Sequence, residues 1–256
     1  MPTHNTHNNP LPIIGSNFVE LVAVDSTNTY AMQQIQAKVA EHGTAYFAHT
    51  QLQGKGTKGK TWYSEKASNT VLSVVLNVEK LPIHKQFYLS AAVALSVYDF
   101  LLKYIQNGIK IKWPNDIYYN NSKIAGILIE NNIKGIQMQW AVAGIGININ
   151  QTNFHNTLNN ASSLALITKK LYSVIELTKE LCTCLEKRYQ QLLCEDYDTL
   201  LKEYNEHLFK KNELVKMKKN NMLFNCTVKK VTDLGFLVVE NGVEQQFSFG
   251  EVEWVL

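Results

Sequence analysis

The chain has 256 residues, 45% of them hydrophobic and 18% charged, with a formal net charge of +3. That is enough for one large domain and a small one. The charge is too mild to argue for nucleic acid, and no run approaches the roughly 18 apolar residues of a membrane span. Arg188 is the only arginine, so bidentate reading of phosphate or guanine has little to work with. The four cysteines, Cys182, Cys184, Cys194 and Cys226, show no metal spacing and read as reduced thiols of a cytosolic protein.

In chain order, Met1 to Pro12 is polar and rich in Asn, His and Pro, and residues 1–17 precede the first strand. They read as a loose tail, not a signal peptide; His4 and His7 form at most a weak metal pattern. Phe18 to Val24 reads as a strand. Asp25-Ser26-Thr27-Asn28 is a cluster of N-cap residues, and a helix is expected from there to about His42, stopped by Gly43. The cluster is either simple capping or a set of small hydrogen-bonding groups at a strand end. Strands at about 44–50 and 70–78 then flank the stretch Gln51 to Trp62.

That stretch is the densest chemistry in the chain: Gly54 to Lys60 holds three glycines and three lysines. Glycine permits positive φ and close ligand approach, and lysines supply charge and mobile donors. Together they suit an anionic ligand, although a solvated basic turn has the same composition. Gly54 to Thr61 also matches G-x-x-x-x-G-K-[ST]. A phosphate loop needs a helix opening at its Lys-Thr, and here the β-branched run Val71 to Val78 follows instead.

After Pro82, Phe87, Ala91, Ala94, Leu95, Tyr98, Leu101, Leu102 and Ile105 fall at helical spacing and predict an amphipathic helix ended by Gly108. Ile109-Lys110-Ile111-Lys112 alternates as a strand with one buried face. Trp113-Pro114-Asn115-Asp116 follows, with Asp116 a turn former or an Mg²⁺ ligand. Lys123 leads the apolar strand Ile124 to Glu130, which pairs as a hairpin with the run through Trp140 to Asn150. Glycines 126, 144 and 146 suggest close approach of backbone or ligand. Ser162 to about Asn205 reads as helix, its buried stripe carried by Leu171, Val174, Thr178, Leu181, Leu185, Tyr189 and Leu192. From Glu213 short β runs alternate with turns, Asn241-Gly242 being a strong hairpin signal, and predict a small β-barrel or meander.

Three of these segments stand in an order that resembles the biotin–protein ligase family. Gly54-Lys55-Gly56-Thr57-Lys58-Gly59-Lys60, with Trp62, matches the family's Gly-Arg-Gly-Arg-x-Gly-Arg loop. Lys112-Trp113-Pro114-Asn115-Asp116, followed by Lys123-Ile124-Ala125-Gly126-Ile127-Leu128, is the most specific match. Asp25 to Asn28 and Gly144 to Asn148 match two further segments. The likeness covers roughly residues 18–256.

The resemblance implies an α+β fold: a mixed, mostly antiparallel sheet with helices over residues 18–208 (class II synthetase-like), and an SH3-like β-barrel over 209–256. It implies a ligase that uses ATP and Mg²⁺ to activate biotin as biotinyl-5′-AMP, then passes it to a lysine of a biotin carboxyl carrier protein. Lys123, Lys112 and Lys58 are its expected catalytic residues. Ser26, Thr27, Asn28, Gln51, Lys55, Gly56 and Gly126 would bind biotin. Thr57, Gly59, Trp62, Asn115 and Asn148 would bind ATP or the adenylate, and Asp116 the metal. Thr57 stands where the family has its second loop arginine; threonine cannot copy that fork, with Lys58 the expected partial substitute. Relatives that repress transcription carry an N-terminal winged helix–turn–helix. The residues before the first strand are too few for one, so no sequence-specific DNA binding is expected, and the protein is expected to be a cytoplasmic monomer or homodimer. The alternatives are a lipoate- or octanoate-handling ligase of the same fold and a non-catalytic binding module.

Overall fold

The computed structural model describes residues 11–135, 137–154 and 160–255. Strand β1 (Phe18–Leu21) leads into helix α1 (Thr27–Gln36), and β2 (Ala45–Ala48) and β3 (Thr70–Asn77) bracket the glycine–lysine loop. Helix α2 (Gln86–Leu102) precedes β4 (Ile109–Lys112), β5 (Asp116–Tyr119), β6 (Ser122–Lys134) and β7 (Gln137–Ile147). Helices α3 (Leu164–Thr168), α4 (Val174–Leu193) and α5 (Tyr197–Glu206) lead to β8 (Leu214–Lys219), β9 (Met222–Val231), β10 (Leu237–Asn241), β11 (Val243–Phe247) and β12 (Glu253–Val255).

The first seven strands form one sheet in the order β1-β2-β3-β7-β6-β5-β4, with β1 and β2 parallel and the other neighbours antiparallel. Helix α1 covers one face, burying Ala31 and Ile35 against Tyr46, Val75 and Val142. Helices α2 and α4 cover the other, with α5 behind α2. Among the described residues no helix is long and apolar enough to cross a membrane.

The remaining strands make a second sheet, ordered β11-β10-β9-β8-β12. Its edge strands do not pair with each other, so the expected barrel is an open sheet. Strand β12 is three residues long, and its whole length is taken up by pairing with Lys216 to Lys218 of β8. The apolar core nonetheless runs from the first sheet into the second, through Met217, Cys226, Val228 and Leu237.

Several sequence expectations need correction. Helix α2 is buried nearly all round, because the sheet lies on one side and α4 and α5 on the other; a two-faced pattern fits only a helix with one wet side. The expected helix from Ser162 to Asn205 is α3, α4 and α5, with breaks where Lys169 (φ 60) and Glu195 (φ 58) turn left-handed. Leu171 lies in the first break and is 79% exposed, whereas the rest of the expected stripe is buried. Helix α1 stops at Gln36, short of His42, with Lys38 left-handed just beyond. Of the expected loose tail, Ile14 is buried and its N–H donates to Glu186 on α4 at 2.8 Å; His4 and His7 lie outside the described residues.

Arg188 on α4 donates to both oxygens of Asp99 on α2, at 2.7 and 3.0 Å, and lies 2.7 Å from Glu203 on α5. The only arginine therefore pins three helices together and is not directed at a ligand.

Candidate active site

A cavity of about 350 Å³ opens above the middle of the seven-stranded sheet. Its floor is β3, β6 and β7 where side chains vanish. Gly126 and Gly146 are cross-strand partners, and Gly144 faces Ser73 across the β3–β7 ladder. A Cβ on Gly144 would fall 2.2 Å from Asn28 Oδ1, and one on Gly146 would fall 2.3 Å from the Trp62 ring. These glycines are therefore required by close approach of side chains from other elements.

One end of the cavity is a fixed polar network. Ser26 does not cap α1 with its side chain. The helix-opening N–H of Thr27 donates instead to Gln51 Oε1 at 2.8 Å, meeting the need for a partner at a helix start. The Thr27 hydroxyl also donates to that oxygen, at 3.2 Å. Ser73, wholly buried, lies 2.7 Å from the Thr27 hydroxyl and 2.6 Å from Asn28 Oδ1. Asn28 Nδ2 donates to Glu130 at 2.8 Å and to the Leu128 carbonyl at 3.2 Å. Asn28, expected to touch ligand, is thus engaged chiefly by the chain itself and shapes the wall.

The other end is charged. Lys112 on β4 is opposite Asp116 on β5, whose carboxylate is 2.6 Å from Lys123 Nζ on β6. The Lys123 backbone is held from outside: its N–H donates to the Asn160 carbonyl at 2.6 Å and its own carbonyl accepts from Ser162 at 2.9 Å. Lys112 Nζ lies 5.0 Å from the Tyr118 ring centre and 5.5 Å from that of Trp254 on β12. Burial between those rings lowers its pKa to about 8; Asp116 works against the shift, Lys123 and Lys60 with it. Burial, then Asp116, pushes the Tyr118 phenol up. Asn115 is locked in place, its Nδ2 donating to the Ile127 carbonyl at 2.5 Å while its own carbonyl accepts from Ile127 at 2.9 Å. Asn148 donates from Nδ2 to the Ser162 carbonyl at 2.9 Å.

The glycine–lysine loop roofs the cavity as a short ribbon. Gly56 donates to Lys60 at 2.6 Å and Trp62 to Gly54 at 2.8 Å, around a tight turn at Thr57–Gly59. No helix opens at Lys60, so the phosphate-loop pattern has no structural counterpart. Trp62 lies over Gly126 and Gly146, with Lys123 Nζ 5.5 Å from its ring centre.

Of the expected site residues, Ser26, Thr27, Asn28, Gln51, Lys55, Gly56, Thr57, Trp62, Lys112, Asn115, Asp116, Lys123, Gly126 and Asn148 all border this cavity. Lys58 and Gly59 do not. Lys58 is left-handed (φ 55), and this turns its side chain outward. Its Nζ donates to the Gly250 carbonyl at 2.9 Å and lies 5.3 Å from the Phe249 ring centre. It is therefore not the loop cation that stands in for arginine in this conformation. It borders a neighbouring cavity of about 410 Å³ between the loop and the second sheet.

Sequence reasoning assigned no role to Lys60, Tyr118 or Phe154, which also border the site. Tyr118 was findable, two residues from Asp116 on one strand and so on the same face. Ser73 and Trp254 carried no local signal. For a metal, Asp116 is a lone carboxylate, and no group of three His, Cys, Asp or Glu able to hold one occurs among the described residues. A single carboxylate fits Mg²⁺ that arrives with phosphate oxygens and water, not a closed protein cage.

A sheet with a glycine floor, a polar end and a lysine pair under a basic loop defines a class of protein. The sequence profile of the Biotin/lipoate A/B protein ligase family matches residues 21–148, half of the chain, and the chain belongs to that family. It is 30% identical over 152 residues to the bifunctional ligase/repressor BirA of Escherichia coli (strain K12), covering 59% of this chain and 46% of that protein. It is 24% identical over 241 residues to BirA of Bacillus subtilis (strain 168), covering 92% and 74%. The chain thus spans about half the length of the first relative and most of the second. The biotin protein ligase from Aquifex aeolicus, solved in complex with biotin and ATP, superposes with a TM-score of 0.79 at 22% identity, over 94% of this chain and 100% of that one. That likeness establishes the fold.

Proposed function

We propose that this protein is a biotin–[biotin carboxyl carrier protein] ligase that activates biotin with ATP. The observation that carries this reading is the convergence of Lys112 and Lys123, from two strands, on a cavity whose other end is the Thr27–Gln51–Ser73 network. The ureido ring would meet Ser26, Thr27 and Gln51, and the fused rings and alkyl chain would lie on the glycine floor. The carboxylate would then reach Lys123.

Two anions must meet for the reaction to begin. A carboxylate oxygen of biotin attacks the α-phosphorus of ATP, the bond to the β-phosphate breaks, and pyrophosphate leaves. Lys123 and Lys112 offset the charge concentrated there. Mg²⁺, held by Asp116 and phosphate oxygens, would supply further charge neutralisation. Lys55, Thr57 and Trp62 would cover the mixed anhydride and keep water from it. The amine of an acceptor lysine then attacks the acyl carbon, giving an amide, AMP and a released proton.

Biotin-dependent exchange of pyrophosphate into ATP tests the first half, with lipoate as the comparison. Exchange with biotin and not lipoate is the expected outcome. Exchange with lipoate alone, or none from folded protein, overturns the reading.

A further inference from the structure

The second sheet reaches the site through one side chain that no motif marks. Trp254 is on the three-residue strand β12, placed by pairing with Met217 of β8. Its indole N–H donates to the Trp113 carbonyl at 3.3 Å, next to Lys112, and its ring packs edge-on against Phe209 at 5.8 Å. Phe209 in turn packs on Tyr118 at 5.1 Å. Tyr118 and Trp254 then bracket the Lys112 ammonium at 5.0 and 5.5 Å. Among the described residues Lys112 takes part in no ion pair, in contrast to Lys123 beside it.

We propose that Trp254 is the positioning residue of Lys112, holding its ammonium toward the bound nucleotide so that the second sheet is a working part of the site. The proposal rests on the ligase reading for the identity of the nucleotide. A lysine stem has several rotatable bonds and a strongly hydrated head. Two aromatic faces attract that head and exclude water from it. Removing one frees the stem to swing into solvent, at the cost of its contact with phosphate.

The test uses the full chain with Trp254→Leu, Trp254→Phe, Lys112→Gln and the Trp254→Leu/Lys112→Gln double variant. Leucine keeps apolar volume in the β12 contact, and melting curves check that each protein is folded. ATP and biotin affinities are read by calorimetry, and KM for ATP by exchange. Trp254→Leu should weaken ATP about five- to tenfold, and Trp254→Phe should restore most of the loss. Biotin affinity should change far less, because its ring contacts Ser26, Thr27 and Gln51 lie at the other end of the cavity and its carboxylate is met by Lys123, which keeps its Asp116 partner. In the Lys112→Gln background Trp254→Leu should change ATP affinity no further. Unchanged ATP affinity in Trp254→Leu, a loss that adds in full to that of Lys112→Gln, or an equal loss for biotin would overturn the proposal. A wild-type protein that binds ATP but exchanges no pyrophosphate would sink the ligase reading alone.

Discussion

Lys123 and Asp116 meet at 2.6 Å across neighbouring strands, and both side chains are mostly buried, 32% and 20% exposed. The lysine thus has a protein partner before any substrate arrives, and the two roles can be separated. Lys123→Ala should reduce adenylation about a hundredfold or more. It should also cost about 1–2 kcal/mol of stability, because the Asp116 carboxylate is left without its partner. Lys123→Ala/Asp116→Asn should regain most of that stability and none of the activity. Denaturant midpoints beside exchange rates make the comparison; a double variant that stays as unstable as Lys123→Ala would refute it.

Lys112 gives a pH dependence of two opposite signs. Its folded pKa, about 8, lies below the ordinary lysine value because burial disfavours the charged form. Between about pH 8 and about pH 10.5 the unfolded chain therefore holds more protons at this site, and its contribution to stability rises with pH. ATP affinity should run the other way, falling as pH rises through the Lys112 value and its positive charge is lost. Lys112→Arg should flatten that fall, since guanidinium stays charged. Calorimetric titrations across this range decide it, and a flat wild-type profile would exclude Lys112 from nucleotide binding.

Gly146 has no room for a methyl group, with the Trp62 ring 2.3 Å from where its Cβ would stand. Gly146→Ala should displace Trp62 and cost about 1–3 kcal/mol. Combined with Trp62→Ala, the losses should be strongly non-additive. Chemical denaturation of the four proteins gives the coupling, and simple addition would show that the two residues do not share this space.

Thr57 borders the cavity while Lys58 is tied to Gly250. Lys58, the cation next to Thr57, is therefore directed away from the cavity. Thr57→Arg should slow release of biotinyl-5′-AMP without much change in its formation. The quantity to follow is the dissociation rate of the intermediate with no acceptor present; equal rates in both proteins would mean another group already retains it.

The readable parts of this chain were those where one residue type has one physical meaning. Lys112, Asn115 and Asp116 of one segment, Lys123 at the mouth of its β-branched strand, and Lys55 and Gly56 of the loop all converge on one cavity. The unreadable parts turned on backbone geometry at residues with no strong preference. Lys58, Lys169 and Glu195 are left-handed where a sequence signal would be glycine. This is why the sequence does not show that Lys58 reaches Gly250, and why three helices read as one. Strand β12 is too short for alternation to show, so Trp254 went unnoticed although it lies against Lys112.

Trp113 is 2% exposed and bonded in both directions: its indole donates to the Gly235 carbonyl at 2.9 Å, and its own carbonyl accepts from Trp254. A rivet of this kind, set between Lys112 and Asn115, makes the melting of one sheet the melting of the other. Heat or denaturant should reveal one cooperative transition reported alike by probes in either half. A proteolytic fragment ending before β8 would lose more than a peripheral module. It would open the continuous core and leave the Trp113 indole without its acceptor, so the lysine pair would lose its shape along with its cover.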